Sequence, residues 1–141
     1  MTNSCSTKSW IIATLAVAVA FYLMDALFHG MVMMNTYSAT AQLWRPMDEM
    51  RQLMWVGILG YLAFSALFYL IFSCGFTPGK SKAGQGLRYG LLIGLLFWGA
   101  HALMSYPYMP IPSHIYWAWF GIGMIEFAVL GLITGMIYKT R

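Results

Sequence analysis

The sequence predicts an all-α integral membrane protein with four transmembrane helices in an antiparallel bundle. Hydrophobic residues make up 60% of the 141 residues and charged residues only 9%, whereas soluble domains are about 45–50% apolar and about 25% charged. So few charges cannot cover the surface of a water-soluble globule. A helix needs roughly 20 mostly apolar residues to cross the hydrocarbon, and four stretches of the sequence are long enough.

The predicted helices cover residues 10–34, 53–74, 87–106 and 116–138, within one membrane domain over residues 1–141. The first follows Lys8 as a signal peptide would, but its apolar run is too long for one and contains Asp25 and His29. We therefore expect it to be a helix of the mature protein. The second carries no charged residue, the third contains His101 and the fourth contains Glu126.

Basic residues are distributed unequally between the two sides. The N-terminal segment, the 76–88 loop and the C-terminal tail hold six of the eight: Lys8, Lys80, Lys82, Arg88, Lys139 and Arg141. The opposite side holds Arg45 and Arg51. Because cytoplasmic segments carry an excess of Lys and Arg, we expect an inner-membrane protein with both termini in the cytoplasm. The net charge of +4 is thus a topology signal, and no nucleic-acid partner is expected.

The connections between the helices are short, which favours antiparallel neighbours. In the longest, over residues 35–52, Pro46 is followed by two acidic residues, a typical helix start just outside the apolar stretch. The second and fourth helices open alike, with Trp55-Val-Gly-Ile and Trp119-Phe-Gly-Ile. This similarity between the two halves has two possible origins. The chain could consist of two similar helical hairpins, or both halves could simply share a hydrophobic composition.

Several short motifs are spread over most of the chain. They are His29-Gly30, Tyr37, Thr40, Leu43-Trp44-Arg45-Pro46, Glu49-Met50, Gly86-Leu87-Arg88-Tyr89-Gly90-Leu91, Tyr108-Met109-Pro110-Ile111-Pro112 and Ala118-Trp119-Phe120. In these motifs the chain resembles a family of small four-helix bacterial membrane proteins. The resemblance implies a four-helix topology and a bacterial inner-membrane location, and it implies no catalytic residue.

Four ionisable residues inside the predicted spans form a candidate polar cluster: Asp25, His29, His101 and Glu126. A charge at the bilayer centre costs at least ~2.5–3.5 kcal/mol on insertion scales, so such residues face protein or a water-filled cavity. Asp25 and His29, four residues apart, share a helix face. The cluster is open to two interpretations: hydrogen-bonded pairs that stabilise helix contacts, or a relay for protons or ions.

Glycines mark the expected helix contacts. Gly86, Gly90 and Gly94 form a stripe of small residues that allows close backbone approach, and Gly131 with Gly135 indicates a second close contact on the fourth helix. His101 follows Gly94 by seven residues, or about two helical turns. We therefore expect His101 to continue the stripe and to point into a helix contact.

The sequence offers few candidates for a metal or cofactor, and we expect none. Haem would use His29 and His101, but their levels in the membrane differ by very roughly 9 Å, which disfavours one shared haem. Copper(I) would use the same histidines with thioethers such as those of Met31 and Met104. Cys5 and Cys74 form no Cys-x-x-Cys motif, so neither a redox nor a zinc site is expected.

No serine is accompanied by a base and an orienting group, and the segments outside the spans are too short for a catalytic domain. We therefore do not expect an enzyme. The favoured function is a structural or accessory subunit, or an assembly factor, of a larger membrane complex. Its partners would be the lipid bilayer and other membrane subunits or a second copy of the chain. The alternatives are a small carrier or channel that uses the polar cluster, and a haem- or copper-binding membrane protein.

Overall fold

A computed structural model of the chain describes residues 6–139, of which 84% are helical and none lies in a strand. Cys5 and Arg141 fall outside these residues. Four helices are long and apolar enough to cross a membrane, so the prediction of four such helices is confirmed. They indicate a multi-pass membrane protein.

Two of the four spans are interrupted helices. The first consists of α1 (Thr7–Leu27) and a π-helical turn (Phe28–Val32). The second is α4 (Met54–Gly75). The third consists of α5 (Lys82–Gly94), a π-helical segment (Leu95–Ala100) and α6 (His101–Ser105). The fourth is α7 (Ser113–Ile137). A π turn therefore lies near the same end of the first and third spans.

The long connection between the first two spans contains short helices. They are α2 (Met34–Ala39), a 3₁₀ turn (Ala41–Leu43) and α3 (Met47–Gln52). Pro46 precedes α3 and the two acids stand in its first turn, where the helix dipole favours negative charge. The acids pair with the basic residues of this side, Asp48 with Arg51 and Glu49 with Arg45, each at 3.7 Å on exposed surface.

The most extensive contact in the fold joins α5 to α7 along their glycines. A Cβ built on Gly86 would overlap the carbonyl oxygen of Gly131, and one built on Gly90 would overlap that of Phe127. The two helices thus touch backbone to backbone, and the contacting pairs run in opposite directions along the chain. The glycines of α5 and α7, which the sequence suggested mark separate contacts, belong to one interface. Gly94 extends it against the side chains of Phe127 and Met124.

Helix α1 joins the rest of the fold, because it contacts both α4 and α7. Three apolar layers form the core. The layer nearest Lys82 contains Ala13, Tyr69, Phe72, Phe76 and Tyr138. The middle layer contains Val17, Phe21, Phe68, Phe127 and Leu130. The layer at the opposite end, which we call the Trp44 end, contains Phe28, Met33 and Ile115.

The glycine interface leads to a direct test. We expect Gly90→Ala to lower the thermal unfolding temperature of the protein in detergent, because the new methyl group would force α5 and α7 apart. Overpacking of this kind costs about 1–3 kcal/mol. Gly57→Ala is the matched control, since a Cβ there meets no atom within 4 Å. Equal unfolding temperatures for the two variants would contradict the backbone contact.

Candidate functional site

Asp25 stands at the centre of a polar group near the Trp44 end of the spans. It projects from the last turns of α1, and its side chain is 17% exposed. Tyr61 of α4 donates a hydrogen bond to Asp25 Oδ2 at 2.5 Å. Asp25 Oδ1 lies 3.6 Å from His29 Nε2. Asp25 Oδ2 therefore accepts from a hydroxyl donor, while Oδ1 faces the imidazole without a hydrogen-bond partner among the described residues.

Glu126 of α7 is the most deeply buried acidic group among the described residues, at 1% exposure. It interacts electrostatically with Asp25 across the contact between α1 and α7. Neither oxygen of Glu126 has a hydrogen-bond partner within 3.5 Å among residues 6–139. An ionised carboxylate with no donor would be costly in this environment. The surroundings therefore favour the neutral, protonated form of Glu126.

His29 connects this acidic pair to Tyr37. It lies in the π turn that follows α1, and its Nδ1 is 2.5 Å from the hydroxyl oxygen of Tyr37. Trp119 Nε1 donates to that same oxygen at 2.7 Å. Since the indole can only donate, Tyr37 accepts from Trp119 and has its own proton to donate to His29 Nδ1. This arrangement leaves the His29 proton on Nε2, the nitrogen that faces Asp25.

Tyr37 itself stays neutral at physiological pH. Burial raises the pKa of its hydroxyl above the ordinary value, the hydrogen bond from Trp119 lowers it, and the charge of Asp25 raises it. The net direction is upward, so the hydroxyl keeps its proton and remains available as a donor.

The chain of polar groups opens into a pocket of about 610 Å³, which we call the His29 pocket. Its walls combine aromatic rings, thioethers and a few polar groups. They are formed by His29, Gly30, Met34, Tyr37, Ser38, Ala41, Trp44, Arg45, Pro46, Met47, Met50 and Trp119. The rings of Tyr37 and Trp44 lie 5.2 Å apart and those of Trp44 and Trp119 lie 6.0 Å apart. Mostly apolar walls with a few convergent polar groups are typical of a ligand site.

The structure thus brings together three of the four candidate polar residues. His101 is not among them, and the expectation that it points into a helix contact is wrong, because its side chain is exposed. The expectation assumed a regular α-helix after Gly94. The π segment over Leu95–Ala100 has more residues per turn, so seven residues no longer complete two turns and His101 turns outward.

The candidate metal ligands are also dispersed. Met31 and Met104 are both 72% exposed, and neither lines the His29 pocket. Both ring nitrogens of His29 already face protein partners, so a metal would have to displace one of them. Within residues 6–139, no group of three His, Cys, Asp or Glu side chains could hold a metal ion.

Sequence reasoning missed the tyrosines and the indole that complete the site. Tyr61 lies on the span without charges and offers no pattern of its own. The one available signal was the depth of Tyr61 in the membrane. With antiparallel helices and a rise of ~1.5 Å per residue, Tyr61 and Asp25 come within about 3 Å of the same depth. No comparable signal places Tyr37 or Trp119 beside His29, because Tyr37 depends on how the connection after the π turn folds back and Trp119 depends on how α7 packs.

No protein-family model matches the chain, and neither curated proteins nor solved structures give a match.

The contact between Tyr61 and Asp25 is testable by a single-atom change. We expect Tyr61→Phe to lower the free energy of unfolding by about 1.5–3 kcal/mol, the range for hydrogen bonds to charged groups. Thermal unfolding in detergent measures the effect. Tyr108→Phe removes the hydroxyl of a side chain that is 85% exposed and serves as the control. A Tyr61→Phe protein as stable as this control would show that the hydrogen bond contributes nothing.

Proposed function

We propose that the chain is a multi-pass protein of the bacterial inner membrane, with its four spans in an antiparallel bundle and both termini in the cytoplasm. The six-to-two distribution of basic residues supports this orientation. So does the pairing of Arg45 and Arg51 with neighbouring acids, which leaves that side with little net positive charge. In this orientation the Trp44 end and the His29 pocket face the periplasm.

We further propose that the protein is a small carrier in which proton binding is linked to occupancy of the His29 pocket. The observation that carries the proposal is the series of neighbouring groups from buried Glu126 through Asp25 and His29 to Tyr37, in which His29 and Tyr37 are hydrogen-bonded and His29 Nε2 lies 3.6 Å from Asp25. Carboxylate and imidazole chains of this kind are typical of proton relays in membrane proteins. A ligand in the pocket would touch one end of the series.

The chemistry of one proton uptake follows from the hydrogen bonds. Tyr37 gives its proton to His29 Nδ1 and takes one from the pocket, so its own charge does not change. The imidazolium that results lies 3.6 Å from Asp25, whose negative charge stabilises it. Once the imidazole and the carboxylate close to hydrogen-bond distance, the proton on Nε2 passes to Asp25, and His29 returns to a neutral form with its proton now on Nδ1. Each step breaks one O–H or N–H bond and forms another, and no other bond changes.

Protonation of His29 is expected to be visible in the fluorescence of the pocket tryptophans. Trp119 donates a hydrogen bond to the Tyr37 hydroxyl, which in turn contacts His29. A charge on the His29 imidazole should therefore change the emission of Trp119. We expect the emission to titrate with pH, and we expect His29→Gln to abolish that titration. His101→Gln, a change at an exposed histidine, should leave it intact. A titration that survives His29→Gln would count against proton binding at this site.

The orientation has its own test, in a chain whose two cysteines have been replaced by serine. A membrane-impermeant thiol reagent added to intact spheroplasts should label single cysteines placed at Ser38 or Ser113. It should not label one placed at Ser81, which precedes α5 on the basic side. Labelling at Ser81 without permeabilisation would reverse the proposed orientation.

An accessory subunit of a larger complex is the second candidate. A groove of about 710 Å³ between the third span and the start of α7 supports it, because its walls are almost entirely apolar and open to the side. A helix of a partner subunit could fill it. Purification from the native membrane in mild detergent separates the two functions, since a subunit co-purifies with its partner in a fixed ratio and a carrier does not.

A further inference from the structure

The polar groups continue past Asp25 toward the Lys82 end of the spans. On α4, side chains with hydroxyl groups recur every fourth residue: Tyr61, Ser65, Tyr69 and Ser73. A spacing of four places them on one face, about 6 Å apart along the axis. Ser65, Tyr69 and Ser73 are buried. The span without a charged residue therefore carries a hydroxyl stripe toward the inside of the fold.

A matching stripe lies on α7. Glu126, Leu130 and Thr134 follow one another at the same spacing, Tyr138 comes four residues later directly after the end of α7, and all four are buried. Three of these four carry a polar group, and Leu130 of the middle apolar layer is the exception. The stripes of α4 and α7 both extend from the acidic pair to the end of the fold at Lys82.

Two hydroxyl groups along these stripes are buried without a protein partner. Ser65 Oγ and Thr134 Oγ1 make no hydrogen bond to any described residue, although both residues are 0% exposed. Buried hydroxyls are almost always hydrogen-bonded, and ordered water fills that role when protein groups do not. A water molecule at each of these two positions would satisfy a hydroxyl group that the described residues leave without a partner.

Beyond these positions, hydrogen-bonded hydroxyls lead to the end of the fold. Ser9 Oγ is 2.6 Å from the hydroxyl oxygen of Tyr69 and donates to the carbonyl of Ile137 at 3.0 Å. Lys82 Nζ donates to the carbonyl of Tyr138 at 2.9 Å. Polar groups are therefore present at both ends of the spans and at intermediate levels.

We propose that these groups form one proton path across the membrane, from the His29 pocket to the Lys82 end, with water held at Ser65 and Thr134. The proposal rests on the proposed proton carrier and extends it, because it names the proton as a transported substrate. Each hydroxyl or water accepts a proton from one neighbour and gives one to the next. O–H bonds form and break in equal number, and nothing is oxidised or reduced.

The middle apolar layer makes this path narrow. Leu130 separates Glu126 from Thr134 on α7, and Val17 and Phe68 lie in the same layer with little or no exposure. Protons cannot cross a dry apolar segment without water or a side-chain carrier. Transfer past Leu130 is therefore the slow step, and a polar side chain there should speed it.

Proton flux into vesicles tests the path. The purified protein is reconstituted into liposomes that contain a pH-sensitive dye, and a potassium diffusion potential drives protons inward. We expect Ser65→Ala and Thr134→Val each to lower the flux about ten-fold, which corresponds to about 1.4 kcal/mol in the barrier. Thr134→Ser, which keeps the hydroxyl, should retain it, and Leu130→Asn should raise it.

Ser105→Ala is the matched control, because Ser105 is also buried but donates to the carbonyl of Ala102 on α6, away from both stripes. Its flux should equal that of the wild type. Thermal unfolding in detergent verifies that each variant is folded before reconstitution, and Thr134→Ser provides a conservative second variant at the same site.

The outcomes separate the path from the proposed function. Flux that falls in Ser65→Ala and Thr134→Val but not in Ser105→Ala supports the path. Flux that is blocked by Glu126→Gln yet unchanged in both hydroxyl variants overturns the path and leaves the carrier standing. Wild-type vesicles no more permeable than protein-free ones overturn the path as well. In that case the fluorescence titration of His29 still decides whether protons bind at the pocket.

Discussion

The backbone contact between α5 and α7 determines where the other helices can lie. Helices in a membrane gain no hydrophobic driving force from one another, so they associate through close packing of small residues and through polar pairs. The glycines of α5 and α7 bring the two backbones together along one face of α7. Glu126 lies off that face, where α1 packs. A buried acid on α7 thereby meets a second acid on α1, and the polar site follows from the packing.

The two acids then need partners from the remaining helices. Asp25 finds a hydroxyl donor on α4, through Tyr61, and an imidazole on its own helix. Glu126 has no such donor among the described residues. Two carboxyl groups of the same chemistry thus stand side by side in dissimilar surroundings. In the proposed carrier, this difference would set the direction of proton movement between the pocket and the interior.

The sequence was informative about features that regular helical spacing controls. Apolar length identified the four spans, and the spacing of four placed Asp25 beside His29. The same arithmetic failed for His101, because a π segment changes the number of residues per turn and no residue pattern marked it. Tyr61 and Trp119 were missed for a different reason. Each acquires its role from a residue on another helix, and a pattern along one helix does not specify its neighbours.

The π turn over Phe28–Val32 also gives the site a mechanical property. A π turn holds one residue more than the α turn it replaces, and each residue corresponds to about 100° of rotation around the helix axis. If the turn reverts to α, the bearing of Tyr37 relative to His29 changes by about that angle while α1 stays where it is. The contact between Tyr37 and His29 Nδ1 therefore depends on the conformation of these five residues.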